Sequence, residues 1–357
     1  IIIHANEQIE QILSSKGINF EKLGKIKRSN TIVINCGDKK YDFKIDHYRK
    51  KWFEKSYMLD SIQSSEIKAL ERFNSLTKNK LEFNFPKWFD GNFSPNIKNR
   101  IKAGVIREKG SNSEREMAYI MDKAGFDVVD IHMTDLMSGK ENLDDIKFLV
   151  AVGGFSNSDV LGSAKGWAGS FIYNENARNS LKKFFSRTDT LSLGVCNGCQ
   201  FLSELAPILP GKKDDWPNFS GNISGRFEAR QSLVEILPGN SVYFKDFEKL
   251  ILPISVAHGY GRVEGFTNEN ESVKSVLRFV DLQGRPTVSY PYNPNGSTSG
   301  LTGFSSTDGR ILMMMPHPER NFRGNLFSWK PKSWSGAGDF SPWALIFENV
   351  YKWIKGQ

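Results

Sequence analysis

The chain has 357 residues, 39% of them hydrophobic, and carries 48 Lys and Arg against 40 Asp and Glu for a formal net charge of +8. It is long enough for two domains, apolar enough for a full core, and has no apolar run long enough to span a membrane. Its basic residues are scattered rather than massed on one helix or tail, which argues against a nucleic-acid partner.

Three cysteines, Cys36, Cys196 and Cys199, make no disulfide framework, so the context reads as reducing and cytoplasmic. The opening Ile1-Ile2-Ile3 is too short for a signal segment, and a start without Met reads as a cut from a longer chain. In the first 75 residues the pattern gives a helix over 6–15 and strands over 20–26, 31–36 and 40–45. A turn at Cys36-Gly37-Asp38-Lys39 and a helix over 45–64 complete this α+β piece. It is thin for an independent core. Residues 76–100, with Pro86, Gly91, Pro95 and no sustained period, read as a linker whose Trp88 and Phe89 pack onto a surface.

From residue 101 strands and helices alternate. Strands fall at 101–107, 126–132, 148–152 and 191–195. A helix opens at Ser113-Glu-Arg-Glu116 as a capping box and stops at Gly125, and another covers 174–186. This alternation predicts an α/β fold, a parallel sheet covered by helices on both faces, with ligands beyond the carboxyl ends of the strands. After Pro207 the texture turns β-rich, with strands at 231–237, 250–256, 275–281, 301–305 and 310–315. A final helix over 342–354 starts on Pro342.

The chemistry centres on Leu191 to Leu205. A buried strand ends in Gly194-Val195-Cys196-Asn197-Gly198, and a helical pattern begins at once with Phe201, Leu202 and Leu205. That is the thiol form of a nucleophile elbow, with the apex residue exposed on a strained turn and a helix N-terminus favouring the thiolate. The rival readings are a buried structural cysteine and a Cys196-x-x-Cys199 redox or metal pair. No second Cys pair completes a zinc site, and no metal is expected. A cysteine nucleophile needs a base and the base an orienter. His317 follows the apolar run 311–315 in Pro316-His317-Pro318-Glu319. Extended backbone between two prolines places Glu319 on the same side as His317, able to accept from its ring. His258, in Ala257-His258-Gly259-Tyr260, is the rival base but has no carboxylate at i+2, so it reads as a pocket-lining or structural residue. Oxyanion donors are expected from the backbone N–H of Asn197 and from Gly153-Gly154. Gln200, one turn past Cys196, is expected to face the pocket, and residues 156–167 to wall it.

These motifs resemble a known family. GVCNGCQ (194–200), GGFSNSDVLGSAKGWA (153–168), GRFEAR (225–230), PISVAHGYGR (253–262), YPYNPNGS (290–297) and MMPHPER (314–320) are similar to the class I glutaminase domain of large, single-chain phosphoribosylformylglycinamidine synthases. Residues 106–136 resemble the start of that domain, and RKKWFEKSYMLDSIQ (49–63) the end of the family's synthetase part. The resemblance implies a flavodoxin-like class I amidotransferase fold over 101–357, a linker over 76–100 and a synthetase tail over 1–75. It implies Cys196, His317 and Glu319 as the triad, Gly154 and Asn197 as oxyanion donors, and Gln200 and Phe155 as glutamine-binding residues. L-Glutamine would be cleaved through a γ-glutamyl thioester. Ammonia would pass to a synthetase domain of the same polypeptide, where ATP and Mg2+ would bind upstream of this chain and formylglycinamide ribonucleotide would become the amidine. No cofactor is implied in this chain. Departures from the family pattern fall at Asn157 and Ser158 (FSYGD), at Tyr260 (HGEGR) and in Arg107 to Asn112 (REQGVN). The rivals are an amidotransferase of another pathway and a cysteine hydrolase of the same fold.

Overall fold

The computed structural model describes residues 2–6, 8–77, 84–267, 270–334 and 339–356. It divides into two compact units, Ile1–Phe53 and Glu54–Gln357. The first holds helix α1 (Gln8–Ser15), the hairpin of β1 (Thr31–Cys36) and β2 (Lys39–Lys44), paired from Thr31↔Lys44 to Cys36↔Lys39, and the start of α2 (Ile45–Gln63). The strand expected over 20–26 is absent. Phe20, Leu23 and Ile26 recur every third residue, not every second, and β1 pairs with β2 alone, so nothing satisfies a third strand's backbone.

The division falls inside α2, not near residue 75. Residues 54–75, including α3 (Glu66–Ser75), belong with the second unit, and polar bonds tie them to it. Asp60 is buried and takes Arg226 at 2.6 Å and Arg72 at 2.5 Å, while Glu71 accepts from the Tyr290 N–H at 3.1 Å. Residues 84–100 are irregular apart from a bridge between Asn84 and Ile251. Phe89 is buried edge-on against Trp334 at 5.4 Å, as a packed linker requires, but Trp88 is exposed.

The second unit is built on one nine-stranded sheet. Its elements are β3 (Ile101–Arg107), α4 (Glu114–Ala124), β4 (Phe126–His132), α5 (Met133–Ser138), β5 (Phe148–Ala151), α6 (Lys165–Tyr173), α7 (Glu175–Ser186), β6 (Leu191–Val195) and α8 (Asn197–Glu204). There follow β7 (Phe219–Ser220), β8 (Glu228–Ile236), β9 (Ile251–His258), β10 (Arg262–Val263), β11 (Val273–Val280), β12 (Leu301–Ser306), β13 (Ile311–Met314) and α9 (Leu345–Lys355). The order is β4-β3-β5-β6-β13-β12-β11-β8-β9. Strands β4 to β13 along this list are parallel, and the remainder continues the sheet antiparallel. The β-rich second half of the sequence is therefore the antiparallel arm of the same sheet. Strands β5 and β6 are buried along their whole length, which is why they read as continuous apolar runs rather than alternations.

Helices α3, α5 and α6 escaped the sequence pattern. In α6, Gly166 and Gly169 lower helical propensity, yet Trp167 stacks on Phe201 of α8 at 4.1 Å and Phe171 meets the same ring at 5.2 Å, so tertiary packing overrides propensity. Helix α4 begins where expected, but Ser113 stands at φ 74° and its hydroxyl caps no N–H; it lies beside Glu319 instead.

The join between β6 and α8 is closely packed. A Cβ on Gly198 would lie 1.9 Å from the Ala151 carbonyl oxygen, and one on Gly194 2.6 Å from the Gly198 oxygen. Gly198→Ala is expected to lower stability by about 1–3 kcal/mol, the usual cost of overpacking, and thus the thermal midpoint by several degrees. Calorimetry of this variant beside Gly259→Ala, where the nearest atom is 4.0 Å away, checks the contrast.

Candidate active site

The site sits where three parallel neighbours end. β5 leads into Gly153-Gly154, β6 into Cys196, and β13, paired with β6 from Ile311↔Ser192 to Met314↔Val195, into His317. Parallel pairing thus brings residue 317 beside residue 196 across 120 residues of chain, about as direct a route as a sheet offers.

Cys196 stands at φ 53°, ψ −111°, a conformation that costs an L-residue of order 1–3 kcal/mol and marks a nucleophile elbow. It is pinned on both sides. Its N–H donates to the Met314 oxygen at 2.9 Å, and its carbonyl accepts from the Gln200 N–H at 3.1 Å, opening α8. The thiol reaches the Ala257 oxygen at 3.5 Å.

His317 and Glu319 are both buried, and Nδ1 lies 2.6 Å from Glu319 Oε1. The carboxylate thereby fixes Nδ1 as a donor and leaves Nε2, which has no hydrogen-bond partner, to face the thiol. Burial pushes the imidazole down, but the Glu319 carboxylate and the neighbouring Cys196 sulfur outweigh it and hold His317 up at about 10. Burial likewise pushes Glu319 up, and the His317 charge reverses this, leaving its carboxyl below the ordinary range. Arg320 reinforces this from 3.9 Å.

His258 is also buried but behaves oppositely. Burial first, then the His317 charge, push it down to about 3. Asn295 donates to its Nε2 at 3.1 Å and to the Gly261 oxygen at 2.8 Å, while its own oxygen accepts from the Ser297 N–H and hydroxyl. That pattern fixes the amide's orientation and makes His258 a neutral ring bearing its proton on Nδ1. It is unsuited to serve as the base at neutral pH.

The expected oxyanion donors lie on the loop after β5 and at the head of α8. Gly154 pairs with Ser111 through flanking bonds, Asn112 N–H to the Gly153 oxygen at 2.7 Å and Phe155 N–H to the Gly110 oxygen at 2.9 Å. This leaves the Gly154 N–H itself without a backbone partner, as is the N–H of Asn197 at the head of α8, among the described residues. A Cβ on Gly153 would lie 3.0 Å from the His317 ring and 3.5 Å from the Cys196 Cβ, so glycine is what allows the loop this close.

The two residues expected to bind glutamine have contacts of their own. The Gln200 amide donates to the Tyr260 carbonyl and accepts from Asn197 Nδ2 at 3.3 Å, so it braces the 258–262 loop rather than presenting a free amide. Phe155 spends its N–H on Gly110, and its ring is exposed against Phe227 at 5.9 Å, forming part of the rim. Cys199 is fully buried on α8, and burial pushes its thiol well up, which closes the redox-pair reading. Ser113 beside Glu319 is the neighbour that sequence reasoning missed, because its position reads as a helix cap. No group of three or more His, Cys, Asp or Glu among the described residues is arranged to hold a metal, and no described helix is long and apolar enough to cross a membrane.

A strained cysteine at a strand–helix elbow beside a buried His–Glu pair is the arrangement that cysteine-dependent acyl transfer requires. A family model described as a CobB/CobQ-like glutamine amidotransferase domain matches residues 100–354, and the chain belongs to that family. Among solved structures, PurLQS from Thermotoga maritima aligns at 24% identity over 72% of this chain and 98% of that one, with a TM-score of 0.52. A putative GMP synthase component from Thermoplasma acidophilum aligns at 14% identity over 72% and 96%, TM-score 0.44. The glutaminase domain of Trypanosoma brucei CTPS with bound acivicin aligns at 14% over 71% and 94%, TM-score 0.43.

The two buried histidines are expected to titrate at opposite extremes. Imidazole 15N shifts should show His317 protonated through neutral pH and losing its proton near 10, and His258 neutral down to about 3. A raised pKa means the His317 charge stabilises the fold fully below its ordinary 6.5 and less as pH climbs to 10. A His317 midpoint near 6.5 would contradict the site geometry.

Proposed function

We propose that this chain hydrolyses L-glutamine and passes the ammonia to a synthetase that makes formylglycinamidine ribonucleotide from formylglycinamide ribonucleotide in purine biosynthesis. The observation that carries the first half is the buried 2.6 Å His317–Glu319 pair beside the strained Cys196, in a chain of the glutamine amidotransferase family. The Cys196 thiolate attacks the side-chain amide carbon. The oxyanion that develops accepts from the N–H groups of Gly154 and Asn197. His317, held protonated by Glu319, gives its proton to the departing nitrogen, and ammonia leaves a γ-glutamyl thioester. Neutral His317 then takes a proton from water, whose oxygen attacks the thioester, and glutamate and the thiolate are released.

The second half rests on the six motifs quoted above and on residues 49–63, which resemble the end of the synthetase part of the single-chain enzymes. The PurLQS likeness is consistent with an amidotransferase of this pathway. On this reading residues 1–75 are a synthetase tail, 76–100 a linker and 101–357 the glutaminase, and the acceptor domain, on the same polypeptide, holds ATP and Mg2+. A synthetase partner on a separate chain is the alternative, and 98% of the aligned PurLQS chain is matched by 72% of this one.

Glutamate release should be detectable and should rise when the synthetase and formylglycinamide ribonucleotide are supplied. Cys196→Ala is expected to abolish it. Glu319→Gln should cut kcat by about 10²–10⁴-fold with KM little changed, because only proton handling is lost. Glutamate release unchanged in Cys196→Ala would overturn the mechanism. Stimulation by a different ammonia acceptor, with none by this one, would overturn the pathway.

A further inference from the structure

The loop that carries the oxyanion donor is strained along its length. Gly154 stands at φ 142°, Asn157 at 48°, Asp159 at 52° and Ala164 at 60°. A short backbone zipper holds it, with Asn112 N–H to Gly153, Phe155 N–H to Gly110 and Asn157 N–H to Lys109 at 2.7, 2.9 and 3.2 Å. Behind the zipper lies Glu108, 2% exposed, with neither carboxyl oxygen hydrogen-bonded. Its Oε1 is packed near the Phe155 carbonyl, since a Cβ on Gly110 would sit 3.4 Å from the one and 2.2 Å from the other. From the loop, Asp159 faces it, with Oδ1 also buried and without a partner. The Asp159 carboxyl leans on the Ala164 N–H and the Asn197 side chain, at the head of α8. The charged groups that bear on Glu108 are Asp159 across the gap and Lys109 next in sequence.

An ionised carboxylate there would face a second carboxyl and a carbonyl oxygen with only the Asn157 N–H and the neighbouring Lys109 to offset it, which is costly. A protonated one has no charge to bury and offers an O–H to those oxygens. We propose that Glu108 is a positioning residue for the oxyanion loop, holding a proton behind Gly154–Asp159 so that the loop is tightened in the protonated state and loosened when the proton leaves. The consequence for catalysis rests on the glutaminase reading; the mechanics of the loop do not. Burial first, then the Asp159 charge, push the carboxyl up from 4.5 to about 7, against the Asn157 N–H and Lys109, which lower it. The tightening is therefore complete below 4.5, declines between 4.5 and 7, and is level above that.

Hydrogen exchange of peptides spanning 153–160 in the full chain, wild type against Glu108→Gln, tests this, because intrinsic pH effects cancel in the ratio. Wild type and variant should exchange alike at about pH 5, and wild type at least about tenfold faster at about pH 8. The ratio of wild-type to variant kcat/KM for glutamine should fall about tenfold over the same span. Alkylation of Cys196 by iodoacetamide, which needs no oxyanion donor, should keep a constant ratio. An exchange ratio that does not change with pH overturns the proposal, as does alkylation that follows the same course as turnover. Should Glu108→Gln exchange rapidly throughout, Asp159→Asn replaces it. Removing the opposed charge should shift the wild-type loosening to lower pH, and no shift counts against the proposal. Wild type that releases no glutamate would refute the glutaminase reading, and the exchange ratio would still decide this one.

Discussion

Everything in the site depends on one unfavourable backbone conformation. Cys196 is held at φ 53° by bonds on both of its backbone groups, and the strain is tolerated because the neighbouring strand and helix meet without a Cβ between them. Gly194 and Gly198 permit that approach, β13 supplies the carbonyl that anchors the Cys196 N–H, and α6 presses its Trp167 against Phe201 on the far side of α8. The sheet, the helix and the aromatic stack each supply part of the force that keeps a thiol in a place it would not choose. Strain of this kind persists only when the surroundings over-determine it.

Charge is arranged with the same economy. Two buried histidines lie near each other, and their surroundings drive them in opposite directions. Glu319 holds a proton on His317, while Asn295, its orientation set by Ser297, leaves His258 neutral. A second cation beside His317 would compete for the same carboxylate, so the neutrality of His258 leaves His317 as the charged ring of the two.

Most of the site was legible in sequence because it depends on local geometry. A strand running into GVCNG fixes an elbow, and a histidine between prolines with a glutamate two residues on fixes a pair, whatever the rest of the chain does. The strands from 101 to 315 were legible for a similar reason, since buried strands leave continuous apolar runs. What escaped depends on partners distant in sequence. The Gln200 side chain is committed by Tyr260, sixty residues away, and Ser113 is drawn from its capping role toward Glu319. Helix α6 forms despite its glycines because Phe201 waits for it, and Phe20 to Ile26 fails as a strand because no partner strand waits. The compact-unit division inside α2, rather than near residue 75, reflects Asp60 and Glu71 tied to Arg226 and Tyr290, contacts no local pattern announces.

β13, the last strand among the described residues, is not an edge. It is threaded between β6 and β12 in the middle of the sheet, and it carries the histidine. An amino-terminal portion ending before residue 311 contains Cys196, α8 and Gly154, yet lacks both His317 and the strand that anchors the Cys196 N–H. The conformation of Cys196 is thus completed by a strand made more than a hundred residues after it, so the elbow is not a local unit but a product of the closed sheet.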